Sequence, residues 1–129
     1  MNYTTTEQSK KLVELGLNPD TADMAIVKDN TYCNALSAFN GVTLCQNYNE
    51  IKDKANYIPC WSLGALLNYI KDKCGYYEFV HIGRKTADGR DDTLSNVYRL
   101  STDMYEVYEE GAINTCYQMI IKLHEQKFI

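Results

Sequence analysis

From Ala55 to Ile70 the chain carries no charged side chain, and its only tryptophan, Trp61, sits in the middle of that run. Sixteen such residues in a row have to be covered by the rest of the chain, so a core is built here before anything else is decided. Leu63, Leu66, Leu67 and Ile70 recur at the spacing of one helix face, and Ser62 stands where a hydroxyl accepts from the first free backbone N–H groups. A helix over Ser62–Lys73 follows. Cys74-Gly75 closes it, because glycine takes the left-handed conformation at no steric cost.

The flanking segments yield to the same reading. Thr4 and Glu7 have the spacing of a capping box, and Leu12, Val13 and Leu15 give a narrow apolar face before Gly16 and Leu17, predicting a first helix over Thr5–Leu15. Asn18-Pro19-Asp20-Thr21 then reads as a cap with proline at the first helical position, for one or two turns through Met24. From Ala25 to Asn56 the periodicity is poor. Gly41–Cys45 is the best strand candidate there, and Ala35, Leu36 and Phe39 suggest a short helix. Tyr76–Ile82, Thr93–Leu100 and Asp103–Tyr108 are short, aromatic and β-branched, and read as three antiparallel strands. Gly83–Asp92 between the first two is charged and predicts a protruding loop. Gly111–Lys127 ends the chain as a helix with Ile113, Cys116, Tyr117, Ile120 and Leu123 inward. The expected fold is α+β: a small three-stranded antiparallel meander packed against N-terminal, central and C-terminal helices, as a single domain over 1–129.

Composition narrows the functional classes. With 129 residues, 45% of them apolar, the chain is long enough for a sizeable core. A net charge of −4 with only Lys10-Lys11 and Arg84-Lys85 adjacent argues against affinity built on nucleic-acid phosphates. Of its five cysteines, Cys33, Cys45, Cys60, Cys74 and Cys116, none forms a C-x-x-C pair. They read as reduced thiols. Met1–Lys11 is polar and lacks an apolar h-region, so the expected location is the cytoplasm. The longest uncharged run, Asn30–Asn49, is too rich in Asn, Thr and Gln to span a bilayer.

Reactive side chains do not converge in the sequence. A thiol nucleophile would pair Cys60, at the start of a helix, with His81 or His124, the alternative reading of the chain as a small enzyme. The bland reading of Cys60 is a small buried hydrophobe. Neighbouring cysteines are too far apart for a wrapped zinc ion, and Asp88, Asp91 and Asp92 lack the spacing of a calcium loop. Glu106, Glu109 and Glu110 fit a strand end and an acidic helix start. Phosphate-binding glycine loops and the nucleophile elbow are absent, so no cofactor or metal is expected. The eleven tyrosines are the more telling feature. Tyr76, Tyr77, Tyr98, Tyr105, Tyr108 and Tyr117 gather in the sheet and its flanking helix, and the first four, with Arg84 and Lys85 of the charged loop, form the candidate binding surface. They favour a protein partner or self-association as a homo-oligomer. A nucleic-acid-associated accessory protein using Lys10, Lys11, Arg84, Lys85 and Arg90 is a further alternative.

Three segments carry a resemblance: Thr4-Thr5-Thr6-Glu7 through Ala22-Asp23-Met24, Ile58-Pro59-Cys60-Trp61-Ser62 through Leu66-Leu67, and Gly111-Ala112-Ile113 through Phe128-Ile129. Together they resemble small uncharacterised proteins of prophages and mobile elements in anaerobic gut bacteria. The resemblance implies an accessory role in such an element and assigns neither a reaction nor a site residue.

Overall fold

The computed structural model describes residues 3–27, 35–39, 42–45, 57–85 and 91–127. The chain divides into two compact units, Tyr3–Ala65 and the stretch from Leu66 onward. It is α+β, with helices and two antiparallel sheets.

In the first unit, helix α1 (Thr6–Glu14) begins at Thr5, whose hydroxyl accepts the Gln8 N–H at 3.1 Å while Gln8 Oε1 accepts the Thr5 N–H at 3.0 Å. The capping box therefore lies one residue later than the Thr4/Glu7 pair expected. Thr4 is occupied elsewhere: its N–H donates to the Trp61 carbonyl at 2.9 Å, and its hydroxyl is buried. The helix ends in a Schellman motif. Gly16, at φ +101°, donates to the Val13 carbonyl, and Leu17 to that of Leu12. Asn18 caps the 3-10 turn Pro19–Thr21 by accepting the Asp20 N–H at 3.0 Å. That turn is shorter than expected, because Met24 already belongs to a strand.

Four strands, β1 (Met24–Val27), β2 (Ala35–Phe39), β3 (Val42–Cys45) and β4 (Tyr57–Cys60), form an antiparallel sheet in the order β2-β3-β1-β4. The strand expected near Gly41–Cys45 is β3. The short helix expected at Ala35, Leu36 and Phe39 is instead β2, whose register sets Phe39 opposite Val42. Cross-strand pairing overrides a local pattern compatible with a single helical turn. Pro59 lies on β4 at the margin of the sheet, where a missing N–H costs no ladder bond. Helix α1 lies against β4, and Ile26 and Cys60 pack with Tyr3, Met24 and Ile58.

Helix α2 (Leu63–Cys74) carries the chain from one unit to the next. Ser62 caps it as expected, its Oγ accepting the Ala65 N–H at 3.2 Å. Asp23 in turn accepts both the Ser62 N–H, at 2.9 Å, and the Ser62 hydroxyl. Gly75, at φ +81°, donates to the Lys71 carbonyl and ends the helix.

The second unit holds the expected meander. Strands β5 (Glu78–Lys85), β6 (Asp91–Ser101) and β7 (Glu106–Glu110) pair in the order β5-β6-β7, and helix α3 (Ala112–Glu125) packs on β6 and β7. Two boundaries differ from expectation. The first two strands run on into the segment read as a loop, with Arg84 opposite Asp92 and Lys85 opposite Asp91 after a register shift beyond Ile82. Gly83 alone faces the four residues 93–96 there, so the extra chain sits on the middle strand and β5 runs on past Ile82. The third strand starts later than expected, because Thr102 builds the turn: its hydroxyl accepts from the N–H groups of Met104 and Tyr105 at 3.3 and 3.2 Å. On α3 the buried stripe is wider than expected and includes Thr115 and Met119. No helix among the described residues is long and apolar enough to cross a membrane.

Candidate binding surface

Cys60, the candidate nucleophile, is wholly enclosed. Its Sγ–H donates to the Thr4 carbonyl at 3.3 Å. The Thr4 hydroxyl lies 3.6 Å from the same sulfur and 2.7 Å from Ser9 Oγ, and accepts the Trp61 N–H at 3.1 Å. One proton assignment satisfies every group. Thr4 Oγ1 accepts from Ser9 and Trp61 and donates to sulfur, while the thiol donates to the carbonyl. Burial pushes the thiol up to about 11, against the downward pull of the Thr4 and Ser9 hydrogen bonds. At neutral pH it stays protonated and out of reach of a substrate, the opposite of what a nucleophile needs. Cys116, also fully buried, is pushed up to about 12 by the same cause. His124 occupies the last turn of α3, facing the negative end of its helix.

Of the tyrosines singled out, Tyr98 lies on β6 opposite His81 and is stacked on Phe79, with ring centroids 5.3 Å apart and planes within 8°. The His81 ring follows at 4.8 Å from Tyr98. Tyr105 lies in the turn before β7, under the Lys122 ammonium at 5.3 Å from its ring centre. Tyr76 and Tyr77 precede β5, and Tyr76 is exposed. The structure thus joins Tyr98 with Phe79 and His81 and sets Tyr105 beside Lys122 of α3. Arg84 and Lys85 take part in the β5–β6 ladder, while their side chains lie outside the described residues, as does Asp88.

The opposite face of the meander is organised by Arg99 in the middle strand. It pairs with Glu78 of β5 and, at 3.9 Å, with Glu106 of β7, while the Tyr108 hydroxyl donates to Glu106. That hydrogen bond also raises the Tyr108 phenol above its ordinary value. One guanidinium thereby ties both outer strands to the centre.

A feature that the sequence reading passed over is the outer edge of β7. Gly111 N–H donates to the Asn96 carbonyl and Thr102 N–H to that of Tyr105. These bonds fix the phase of the ladder between them, since paired and unpaired positions alternate. With Tyr98 opposite Glu109 and Leu100 opposite Val107, it is Val107 and Glu109 that bond to β6. The N–H and C=O groups of Glu106, Tyr108 and Glu110 therefore point outward, with no backbone partner among the described residues. Beside this edge runs a groove of about 400 Å³ between β7 and α3, bordered by Val107, Tyr108, Glu109, Ile121, Lys122 and Glu125. The Tyr108 ring, on the Arg99 face of the same edge, is 55% exposed. Glu109, Glu110 and Glu125 have no ion-pair partner among the described residues, whereas Glu106 is held by Arg99. The sequence pattern gives a strand over Asp103–Tyr108 and leaves Glu109 and Glu110 to its end or to the helix start; both belong to β7, and only the ladder phase shows which backbone groups are left over.

Searches against protein-family models, curated proteins and solved structures found no match.

Proposed function

We propose that this chain is a non-enzymatic protein-binding module, an accessory protein of the kind its resemblance to prophage and mobile-element proteins implies. It takes an extended segment of a partner as an added strand on β7. The observation that carries this reading is the unpaired outward row of Glu106, Tyr108 and Glu110 beside a groove, with the Tyr108 ring exposed. Main-chain bonds from such an edge supply affinity, and pockets for alternate side chains supply selectivity. An edge of this kind is otherwise a liability for aggregation, and its three glutamates keep it soluble. The enzyme reading through Cys60 loses its footing, because the thiol is enclosed and protonated.

Selection of linear peptides from a random display library tests the proposal, with Tyr108→Pro as the counter-screen. Proline at that position removes an outward N–H and no ladder bond, so the fold tolerates it. Peptides enriched on the protein and lost on Tyr108→Pro are the expected result. No enrichment, or peptides that the folded proline variant retains, would refute strand addition.

A further inference from the structure

We infer that the segment received by β7 is basic, alternating lysine or arginine with β-branched or other apolar residues, and belongs to a different protein chain. This rests on the strand-addition reading above and specifies its partner.

Charge is the first ground. Glu109, Glu110 and Glu125 stand along the edge and groove without ion-pair partners among the described residues. Among the described cations nearby, Arg99 pairs with Glu78 and Glu106, and Lys122, over the Tyr105 ring, is one positive charge against the carboxylates of Glu106, Glu109 and Glu125 in the lining. The groove therefore presents net negative charge to an incoming strand. Geometry is the second ground. Side chains of an added strand alternate between the two faces of the sheet. The row on the helix side passes over Val107 and Ile121 and ends beside Glu109 and Glu125. Lysine and arginine fit both demands, with an apolar stem on the floor and a charged head at the rim. The other row meets the exposed Tyr108 ring, which suits valine, isoleucine or threonine. The third ground weighs against a second copy of this chain in the register centred on Tyr108, which would set Glu106 opposite Glu110 of the other copy at both ends of the strand, since like charges directly opposite are destabilising.

The test is a titration of the full chain, 15N-labelled, with three blocked hexapeptides: alternating Lys–Val, Thr–Val and Glu–Val. The Lys–Val peptide should shift β7 and α3 resonances and bind about tenfold tighter than Thr–Val, the effect of two or three surface charge pairs. Glu–Val should bind weakest, and raising the salt should shrink the differences. The double variant Glu109→Lys/Glu125→Lys should reverse the order, and Tyr108→Pro should abolish all three. Equal binding of Lys–Val and Thr–Val would overturn the basic partner while leaving strand addition standing. Absence of binding by every peptide would overturn both. Concentration-dependent dimerisation in sedimentation, lost in Tyr108→Pro, would replace the basic partner by a second copy.

Discussion

Thr4 shows how much one hydroxyl can hold. It is the acceptor for the Trp61 N–H, a neighbour of the buried Ser9 hydroxyl and a partner of the Cys60 sulfur, all in a region closed to water. Thr4→Val keeps the shape and deletes the oxygen, leaving two donors unsatisfied, each at about 1–3 kcal/mol. Urea unfolding should show a loss of about 2–4 kcal/mol; a loss within error of zero would mean that water replaces the hydroxyl. The thiols make a pH prediction. Cys60 and Cys116 titrate near about 11 and about 12 in the folded chain, against 9.0 for an ordinary thiol. Below pH 9 their contribution is complete. Above it the unfolded thiols lose protons that the folded ones keep, so stability falls as pH rises toward those folded values, by at most about 1.4 kcal/mol per pH unit for each thiol. Denaturation midpoints from pH 7 to 10.5 should therefore decline more steeply in the native chain than in Cys60→Ala/Cys116→Ala. Identical alkaline slopes would contradict the assignment.

At the scale of elements, the position of the first helix cap separates two readings of one sequence. Thr5→Ala should cost about 1 kcal/mol and Glu7→Ala far less, because the reciprocal box is Thr5 with Gln8. The reverse order in thermal unfolding would restore the Thr4/Glu7 box. Elements with strong local signals were legible from residues alone: Ser62 and Gly75 at the ends of α2, Gly16 and Leu17 after α1, and the aromatic meander strands. The four-stranded sheet was not. Its strands have four or five residues each, too short for a pattern of alternation to stand out. Proline at position 59 also speaks against a strand until β4 is known to be a margin. Asn40-Gly41 between Phe39 and Val42 was the available hairpin signal, and it outweighs the helical spacing of Ala35, Leu36 and Phe39. The open edge of β7 was not legible in the sequence, because the direction of a backbone N–H depends on ladder phase and no side chain records it.

For the molecule as a whole, the net charge of −4 acquires a local meaning: part of it lines one strand edge and the groove beside it. The fold spends its apolar residues inside both units, where Trp61, Leu12, Leu100, Met119 and Leu123 are fully buried. Along the outer edge of β7 stand unpaired backbone, glutamates and the Tyr108 ring. The central claim is that β7 is an open strand awaiting a partner, and residue-resolved amide hydrogen exchange on the full chain tests it most directly. Val107, Glu109 and Gly111 should exchange slowly, and Glu106, Tyr108 and Glu110 fast. Saturating Lys–Val hexapeptide should slow all of the fast three. Uniform protection along β7 in the free protein, or fast exchange at Tyr108 that the bound peptide leaves unchanged, would contradict it.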